Sequence, residues 1–443
     1  MAGTIASTEA SLNTDRVTSC FTSWITRHAV VLAGLALAST AVDAQALAVV
    51  PTFLEASIGF GAAHAISGDG RRVVYESASD PVGGNADGNY ELFLWDQSLG
   101  VSQITTTTGS GFYWEVDIDQ TGQTVEMVAD ADVTGTGATN TELYRWVDGG
   151  GWTRLTTTDG AFDEVFIGGI GISADGGTLL FTSRGNYTGA NAGKEEQVFL
   201  WRAVGGFQQI TTATPCGSGG GNFASDLSGD GTRILLSSRC RINGGNPDLT
   251  GDLYLWDASS GFTALTDEAD EVGGLGTLDA DGSTAALVSS HDLVNGGFGT
   301  GEQLFRWREV GGFERLSSES VDHGVPSIDA DGSRIAYAAA NGQGTAGNPE
   351  GSNEIFLWDT GAIFELTDSA QADDYYGNEW PDLDDAGTRL VMVALRAFDA
   401  PTDLRTGYFL LDVPEPTTAA QGAVAVAALL GSAAARRRGV AAT

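Results

Sequence analysis

The chain is poor in basic residues. Its 443 residues include 58 Asp and Glu but only 22 Lys and Arg, and Lys194 is the sole lysine. The resulting net charge of −36 makes nucleic acids and anionic membranes poor partners, because both bind proteins largely through positive charge. Cations, basic proteins and neutral glycans remain compatible with this charge. A P-loop is also excluded, since Lys194 stands in "GKEE" rather than after a glycine-rich turn.

Cysteine is almost as scarce, with three residues in the chain. Cys20 lies in the amino-terminal segment, so Cys216 and Cys240 are the two that a mature chain would keep. An even pair suits an oxidising compartment, and we expect a disulfide that closes a loop of about 25 residues. Two unpaired thiols are the alternative.

Histidine is rare too, and the familiar catalytic motifs are missing from the sequence. His64, His291 and His323 fall at different offsets within the internal repeats, and no two have the spacing of a helical metal-binding pair. There is no G-x-S-x-G nucleophile elbow. We therefore assign no catalytic residue and predict a protein without enzymatic activity.

Long apolar runs are confined to the two ends of the chain. Arg27 precedes "AVVLAGLALA", and small residues follow in "STAVDAQALA", which is the pattern of an export signal. We predict a signal peptide over residues 1–44, with cleavage after Ala44 or, as the alternative, after Ala48. A retained anchor is the other interpretation, although the apolar run is short for a membrane span. The polar leader before Arg27 is long, which leaves the true start codon open.

Glycine is abundant by contrast, at 62 residues, which favours turns and β structure. The pattern belongs to an internal repeat. Its seven copies begin "AISGDGRRVVYES", "DIDQTGQTVEMVA", "GISADGGTLLFTS", "DLSGDGTRILLSS", "TLDADGSTAALVS", "SIDADGSRIAYAA" and "DLDDAGTRLVMVA". Each copy continues into an apolar strand such as "ELFLWD", and six close with a short strand such as "QIT" or "RLS".

One tryptophan marks the same position in six copies, at spacings of 51 to 55 residues. These residues are Trp95, Trp146, Trp201, Trp256, Trp307 and Trp358, and Leu411 takes the position in the seventh copy. A period of this length is typical of one propeller blade. We interpret the periodic tryptophans as core residues and not as a platform for a ligand.

The repeats predict an all-β fold, a seven-bladed β-propeller over residues 49–412. Each of the first six copies supplies four strands that are apolar on both faces, as sheets stacked around an axis require. The seventh copy lacks its last strand, because "LLD" runs directly into "VPEP". We predict that an amino-terminal strand, Val49 to Leu54, completes this blade and so removes two exposed sheet edges.

The repeat resembles the TolB-like β-propeller repeat, with its S-x-D-G turn, aliphatic strand, strand ending near Asp and closing Leu-Thr. The resemblance extends over nearly all of residues 49–412. It implies the propeller fold, whereas propellers of this type serve as scaffolds, binding platforms and accessory domains of enzymes.

Residues 413–443 resemble a bacterial PEP carboxyl-terminal sorting signal. Pro414, Glu415 and Pro416 are followed by an apolar segment and then by Arg436, Arg437 and Arg438. The apolar segment can enter a bilayer while the arginines stay on the cytoplasmic side. The resemblance implies an exosortase-type membrane protease as partner, a transient membrane anchor, and a destination at the bacterial cell surface or outside the cell. A disordered tail is the alternative.

The acidic turn "DADG", with Asp329 and Asp331, could bind a metal, hold a catalytic pair or form a hairpin. The corresponding Asp is replaced by Thr121 in one copy and by Ala386 in another, whereas glycine follows in every copy. A backbone constraint tolerates such replacements and a uniform metal site does not. The series therefore predicts a hairpin turn, and directs the search for function to the opposite face.

Two entry loops on that opposite face combine aromatic and acidic residues. The candidate ligand-binding residues are Tyr113, Trp114 and Glu115 in one loop and Asp373, Asp374, Tyr375, Tyr376, Glu379 and Trp380 in the other. The loops flank the first blade, so they could share one rim. Aromatic rings beside carboxylates suit a sugar, but the rings could equally plug the channel or pack between blades.

No cofactor is predicted, and the identity of any metal is open. The stretch "DADVTG", Asp130 to Gly135, begins like a calcium loop, but Glu142 falls one place beyond the final ligand, so solvated turns are favoured over Ca²⁺. The leading hypothesis is an exported, non-catalytic binding or structural module for matrix polysaccharide. The alternatives are a propeller lyase or glycosidase acting on polysaccharide, and an envelope scaffold that binds another protein.

Overall fold

The computed structural model describes most of the repeat region. Its described residues are 50–55, 63–109, 111–137, 140–158, 165, 169–212, 216, 220–267, 276–317, 319–321, 324–340, 342–343, 351–368, 378–394 and 407–413. The predicted export signal and the predicted sorting signal lie outside these residues. Within them, no helix is long and apolar enough to cross a membrane.

The described strands form seven antiparallel sheets of four strands each, arranged as a seven-bladed propeller. The innermost strands are β2 (His64–Ile66), β6 (Tyr113–Ile118), β10 (Gly171–Ile172), β14 (Asn222–Leu227), β18 (Gly276–Leu278), β22 (Ser327–Ile328) and β26 (Asn378–Leu383). The second strands are β3 (Arg72–Ser77), β7 (Thr124–Ala129), β11 (Thr178–Ser183), β15 (Arg233–Ser238), β19 (Thr284–His291), β23 (Arg334–Ala339) and β27 (Arg389–Ala394).

The third strands carry the periodic tryptophan position. They are β4 (Glu91–Asp96), β8 (Glu142–Val147), β12 (Gln197–Arg202), β16 (Asp252–Asp257), β20 (Phe298–Arg308), β24 (Glu354–Asp359) and β28 (Gly407–Asp412). The outermost strands are β5 (Gly100–Gln103), β9 (Gly151–Arg154), β13 (Gly206–Gln209), β17 (Gly261–Ala264), β21 (Gly312–Arg315), β25 (Ala362–Glu365) and, for the seventh blade, β1 (Val50–Glu55).

The amino-terminal strand closes the ring, as the sequence predicts. β1 pairs antiparallel with β28, with Val50 opposite Asp412 and Phe53 opposite Phe409. The seventh blade is thus built from the two ends of the repeat region. Pro51 is tolerated here because β1 is the outermost strand, where a missing backbone donor breaks no second ladder.

The acidic segments form hairpin turns, as comparison of the seven copies predicts. Asp329 Oδ1 accepts hydrogen bonds from the amides of Ser333 (2.8 Å) and Arg334 (3.0 Å), and Asp331 Oδ1 accepts the amide of Ser333 at 2.9 Å. The glycine that follows adopts a positive φ of 62° to 70° in every copy, which explains why glycine alone is invariant along the series. These residues are Gly70, Gly122, Gly176, Gly231, Gly282, Gly332 and Gly387.

Successive turns are also joined to one another by backbone hydrogen bonds around the axis. Six of the seven junctions between described turns carry such a bond. The amide-to-carbonyl bonds are Asp69 to Gln120, Gln120 to Ala174, Ala174 to Gly229, Ala280 to Ala330, Ala330 to Asp385, and Asp385 to Gly68. A turn therefore depends on the turn of the neighbouring blade for one of its polar contacts.

The closing Leu-Thr motif also has a structural explanation. In six blades, the Thr or Ser hydroxyl accepts the amide of the second residue of the repeated stretch that reads "ELFLWD" in blade 1, and donates to the side chain of the first residue. In blade 5 this stretch begins at Gln303, within the longer strand β20. In blade 1, Thr105 Oγ1 accepts the amide of Leu92 at 2.8 Å and donates to Glu91. The first residues are Glu91, Glu142, Gln197, Asp252, Gln303 and Glu354. Through these hydrogen bonds, the buried acids and amides connect the third strand to the Leu-Thr segment that follows the outermost strand.

Arginines connect each blade to the next. Four blades begin their second strand with an arginine whose Nε donates to the Asp ending the third strand, and whose Nη1 donates to the carbonyl of the next blade's turn glycine. These residues are Arg72, Arg233, Arg334 and Arg389. The other three blades have threonine at this place and use an arginine of the third strand instead. Arg145 and Arg202 reach the next turn glycine, and Arg306 lies over Trp358 of the next blade.

The periodic tryptophans belong to the core, as predicted. Trp146, Trp256, Trp307 and Trp358 are buried, and Trp95 and Trp201 are half-buried against neighbouring apolar side chains. Leu411 is completely buried at the same position of the seventh blade. The sulfur atoms of Cys216 and Cys240 are joined in a disulfide.

We expect the substitution Arg334→Ala to lower the free energy of unfolding by about 3 kcal/mol, because it leaves Asp359 as an unpaired buried charge. Arg334 is 6% exposed and bonds both Asp359 and the Gly387 carbonyl. Urea denaturation measures this change. The matched control is Arg308→Ala, since Arg308 is 49% exposed and its pair with Glu314 should contribute below about 1 kcal/mol. Equal losses in the two variants would contradict the proposed role of the inter-blade arginines.

Candidate functional site: the axial channel

A cavity of about 820 Å³ forms a channel along the propeller axis. Residues of all seven innermost strands line it. Each of these strands runs toward its acidic turn, so the channel has one end at the turns and one at the entry loops. The two ends differ in residue size and in polarity.

A hydrogen bond between blades 2 and 7 crosses the turn end of the channel. Small residues line much of it, among them Ala174, Ala280 and Ala330. Gln120 of blade 2 donates a hydrogen bond from Nε2 to Asp385 Oδ2 of blade 7 at 2.9 Å. This bond passes over blade 1, where a Cβ at Gly68 would lie only 2.5 Å from the Asp385 carboxylate. A ligand therefore has easier access from the opposite end.

Two tryptophans border the entry-loop end of the channel. Trp114 is half-buried and Trp380 is 43% exposed. The register of β26 shifts between Glu379 and Asp382, and Trp380 adopts a φ of +49° within this bulge. Such a backbone is unusual for a bulky residue, and bulges commonly redirect a side chain near functional sites. His64 supports this geometry, because its Nε2 donates to the Trp380 carbonyl at 2.8 Å.

An aromatic row extends from this mouth toward blade 1. The rings of Phe112 and Trp114 are 5.3 Å apart, and those of Tyr90 and Phe112 are 6.5 Å apart. A second cavity of about 470 Å³ lies beside the row and is lined by Thr106, Thr107, Thr108, Gly109, Gly111, Asp130, Ala131, Asp132, Val133 and Gly135. The segment from Gly111 to Glu115 thus borders both cavities, which could accommodate successive units of one extended ligand.

Three aspartates of the channel wall connect neighbouring blades. Asp117 accepts the amides of Ile118 (2.8 Å) and, in blade 3, Ile172 (3.0 Å). Asp226 accepts the amides of Leu227 and, in blade 5, Leu278, both at 2.7 Å.

Asp382 makes the corresponding contact between blades 7 and 1. It accepts the amide of Ile66 in blade 1 at 2.9 Å and the hydroxyl of Ser327 in blade 6 at 3.2 Å. Each of the three carboxylates is therefore held by backbone or hydroxyl donors of the ring itself.

Burial and mutual repulsion raise the pKa values of these aspartates. The channel is enclosed by the blades, and burial raises the pKa of Asp117 to about 8, with added repulsion from Asp382 and Asp226. Burial likewise raises the pKa of Asp226 to about 7 and that of Asp382 above its ordinary value. The backbone amides that each carboxylate accepts lower its pKa only in part. The channel therefore holds carboxyl groups that titrate near neutral pH.

Two further acids of blade 2 stand next to Asp117. Glu115 lines the channel two residues before Asp117 on the same strand, and Glu126 is the cross-strand partner of Asp117 on β7. Glu126 is completely buried, and burial, followed by the charges of Asp117 and Glu115, raises its pKa well above the ordinary value. In the other blades this position of the second strand is Val, Leu or Ala.

One position of the repeat marks the channel aspartates in the sequence, although alignment of the seven copies does not show what that position faces. The residue two places before the turn Ser or Asp differs among the copies: Ala65, Asp117, Gly171, Asp226, Thr277, Ser327 and Asp382. A position that varies within an otherwise regular repeat, yet is acidic in three copies, indicates a place where the blades are not equivalent. That it faces the axis follows only from the fold.

Only some of the predicted rim residues border the channel. Trp114 and Glu115 from one loop and Trp380 from the other border the same channel, whereas Tyr113 is completely buried. The Tyr113 hydroxyl donates to Glu91 of blade 1 at 3.0 Å, so this ring packs between blades 1 and 2, as the alternative interpretation has it. Glu379 is half-buried and accepts a hydrogen bond from Asn353 at 3.3 Å. Asp373, Asp374, Tyr375 and Tyr376 lie outside the described residues.

The metal-binding candidates do not converge within the described part of the chain. His64 lines the channel, His291 is buried at the end of β19, and His323 lies outside the described residues. Both oxygens of Asp132, in the calcium-like stretch, accept amides of their own loop, from Thr136 and Gly137. Among the described residues, no three His, Cys, Asp or Glu side chains form a group that could hold a metal ion.

Comparison with known proteins supports the fold. No family model matches the chain, and no curated protein matches it in sequence. Among solved structures, oligogalacturonate lyase from Vibrio parahaemolyticus is similar at 12% identity, over 84% of this chain and 99% of that chain, with a TM-score of 0.54. An oligogalacturonate lyase in complex with manganese is similar at 12% identity, over 85% and 96% of the two chains, with a TM-score of 0.52.

A more distant similarity is to TolB from Acinetobacter baumannii. It has 16% identity over 68% of this chain and 64% of that chain, with a TM-score of 0.41, which is too low to bear on function. Identities at this level show the propeller fold alone, because one fold serves many activities.

We expect the channel aspartates to make the protein less stable as the pH rises. A carboxyl group whose folded pKa lies above its unfolded pKa is neutral at no cost at low pH, and its penalty grows until the pH exceeds the folded pKa. Relative to Asp226→Asn, the wild type should lose about 2 kcal/mol of unfolding free energy between pH 5 and pH 7. Chemical denaturation at several pH values measures the difference.

The control is Asp257→Asn, because the hydroxyl of Ser259 holds the pKa of Asp257 well below its ordinary value. The stability that Asp257 contributes is lost only as the pH falls toward the folded pKa, so its difference from the wild type should stay flat from pH 5 to pH 7. A flat difference for Asp226→Asn as well would show that Asp226 titrates normally.

Proposed function

We propose that this protein is an exported binding module that holds a carbohydrate at the entry-loop end of its axial channel, without catalysing a reaction. The observation that carries the proposal is that Trp114 and Trp380, from blades 2 and 7, border the same open cavity. Glu115 and His64 line the cavity beside them. Apolar rings with adjacent polar groups are the combination that a sugar requires, since its C–H face packs on the ring while its hydroxyls form hydrogen bonds.

The shape of this region favours a polymer over a single sugar. The aromatic row Tyr90, Phe112 and Trp114 runs between the channel mouth and the second cavity, which presents threonine hydroxyls and the Asp130 carboxylate. Two neighbouring cavities along one aromatic row could hold successive residues of a glycan chain.

The charge of the protein restricts the kind of carbohydrate. The net charge is −36, and the described ionisable side chains that line the channel are seven carboxyl groups and the His64 ring. A polyuronate would bring further negative charge to this surface, which costs free energy unless a cation is recruited. The proposal is therefore a neutral or positively charged glycan, different from the substrate that the name oligogalacturonate lyase indicates for the similar structures.

The two ends of the chain suggest where in the cell this protein would act, and they form part of the same proposal. Residues 1–44 would direct export, and Pro414, Glu415, Pro416 and the arginines 436–438 would direct sorting by an exosortase-type protease through a transient membrane anchor. A propeller delivered in this way would meet matrix polysaccharide at the cell surface.

A glycan array with the purified full chain, followed by a degradation assay on each bound glycan, tests the proposal. We expect binding without product, and a loss of about tenfold in affinity for Trp114→Ala and for Trp380→Ala, because a buried aromatic anchor commonly contributes at least 1.4 kcal/mol. The control is Leu99→Ala, since Leu99 is 83% exposed in the hairpin after β4, beside the acidic turns.

Unchanged affinity in both tryptophan variants, with the fold intact by circular dichroism, would overturn the mouth as the binding site. Product formation would instead establish a propeller enzyme. If every glycan fails to bind, a protein partner in the envelope replaces the carbohydrate hypothesis.

A further inference from the structure

We propose that the channel selects glycans that carry free amino groups, and that Asp117, Asp226 and Asp382 bind an ammonium group that enters past the two tryptophans. This inference rests on the carbohydrate function proposed above and specifies the class of ligand. It is carried by the composition of the channel wall, by the hydrogen bonds of its carboxylates, and by one buried acid without a conventional partner.

The channel wall brings together seven described acids, and His64 is the one described residue of the wall that can carry a positive charge. Its described lining includes Glu115, Asp117, Asp226, Asp230, Asp329, Asp382 and Asp385, and it includes no lysine or arginine. Elsewhere in the ring the situation is different, because Asp96, Asp257 and Asp359 each pair with an arginine. The arginines of this protein therefore neutralise acids at the blade junctions, and leave those of the channel to another cation.

The three proposed ligand groups retain acceptor capacity. Each carboxylate oxygen of Asp117 and Asp226 accepts one described backbone amide, although an ionised carboxylate oxygen has two lone pairs. Asp382 likewise accepts one amide and one hydroxyl. The same donors fix the position of each side chain, so a cation would meet preorganised acceptors.

Glu126 is the independent observation that points to a positive group. It is completely buried, it stands in register with Asp117, and neither of its carboxylate oxygens has a hydrogen-bond partner of ordinary geometry. The nearby amide of Gly171 lowers its pKa only slightly against the effect of burial. A buried acid with this environment is costly by itself, and a cation bound at the neighbouring Asp117 would offset that cost.

An ammonium group fits these observations better than a bare metal ion. The described acids do not form a set close enough to surround a metal ion. An ammonium group on a sugar ring has its own directional donors and can bridge carboxylates that lie farther apart. The tryptophans at the mouth add a favourable environment for a cation approaching over their rings.

Calorimetry with two matched hexasaccharides tests the inference. One is the β-1,4-linked glucosamine hexamer, and the other is the same hexamer with every amine acetylated. We expect the amine form to bind the full chain at least about tenfold more tightly, since acetylation removes the charge and leaves the rest of the sugar backbone unchanged. In Asp226→Asn this preference should fall below about threefold.

The matched control variant is Asp252→Asn in the same blade. Asp252 is buried and bonded to Thr266 outside the channel, and Gln197 and Gln303 show that an amide is accommodated at this position in other blades. The control should keep the preference for the amine form, which separates the channel from general attraction to an acidic surface. Asp226→Ser serves if Asp226→Asn does not fold, because Ser327 at the equivalent position accepts the amide of Leu383 by its hydroxyl.

Each outcome separates this inference from the proposed function. Equal affinity for the two hexamers, or an undiminished preference in both Asp226 variants, overturns the amine inference and leaves carbohydrate binding in place. If the protein binds no glycan of the array, both the proposed function and this inference are overturned. If a lysine hexapeptide binds as tightly as the amine hexamer, with the same dependence on Asp226, selection of a glycan is overturned in favour of a basic peptide.

Discussion

Closure of the ring by β1 and β28 is the interaction on which the remaining contacts depend. The seventh blade has three strands of its own, and the fourth arrives from the other end of the propeller region. Once the ring is closed, each blade has a neighbour on both sides. The turn-to-turn hydrogen bonds, the arginine contacts and the aspartate bridges of the channel all use that neighbour. The pairing of Arg389 with Asp412 and its bond to the Gly70 carbonyl show the dependence directly, since they join blade 7 to blade 1.

The repeated residues of the chain serve this ring, and their chemistry is structural. The turn acids accept amides, the closing threonines connect two strands, and the tryptophans fill the space between blades. The two arginine arrangements make the same point. Where a third strand ends in Asp, the second strand begins with Arg, and where it does not, an arginine of the third strand reaches the next blade. The junction is maintained although the residue that maintains it changes.

Residues that break the repeat define the candidate site. Trp114, Glu126 and Trp380 have no equivalents in the other blades, and the channel aspartates occupy a position that is Ala, Gly, Thr or Ser elsewhere. Trp114, Trp380 and the three aspartates line the axial cavity, and Glu126 stands in register with Asp117. They also carry a stability cost, because burial raises the pKa of Asp117 to about 8 and that of Glu126 well above its ordinary value. Acids kept at such a cost in a wall whose described lining has no lysine or arginine are better explained by a ligand than by the fold.

The sequence by itself determined the seven blades, their strand order, the closing strand and the structural role of the acidic turns. These features follow from local patterns repeated seven times, so an atypical copy can be interpreted by comparison with the other six. It also indicated Trp114 and Trp380 as neighbours, because the two loops flank one blade. The sequence could not decide that Tyr113 packs between blades 1 and 2 while Trp114 borders the channel, since a register shift between Tyr113 and Glu115 sets this difference. Nor could it show that Asp117, Asp226 and Asp382, which lie 109 to 265 residues apart in the chain, face one cavity. Their proximity, and the raised pKa values that result from it, exist only because the ring closes and brings the innermost strands of distant repeats around a common axis.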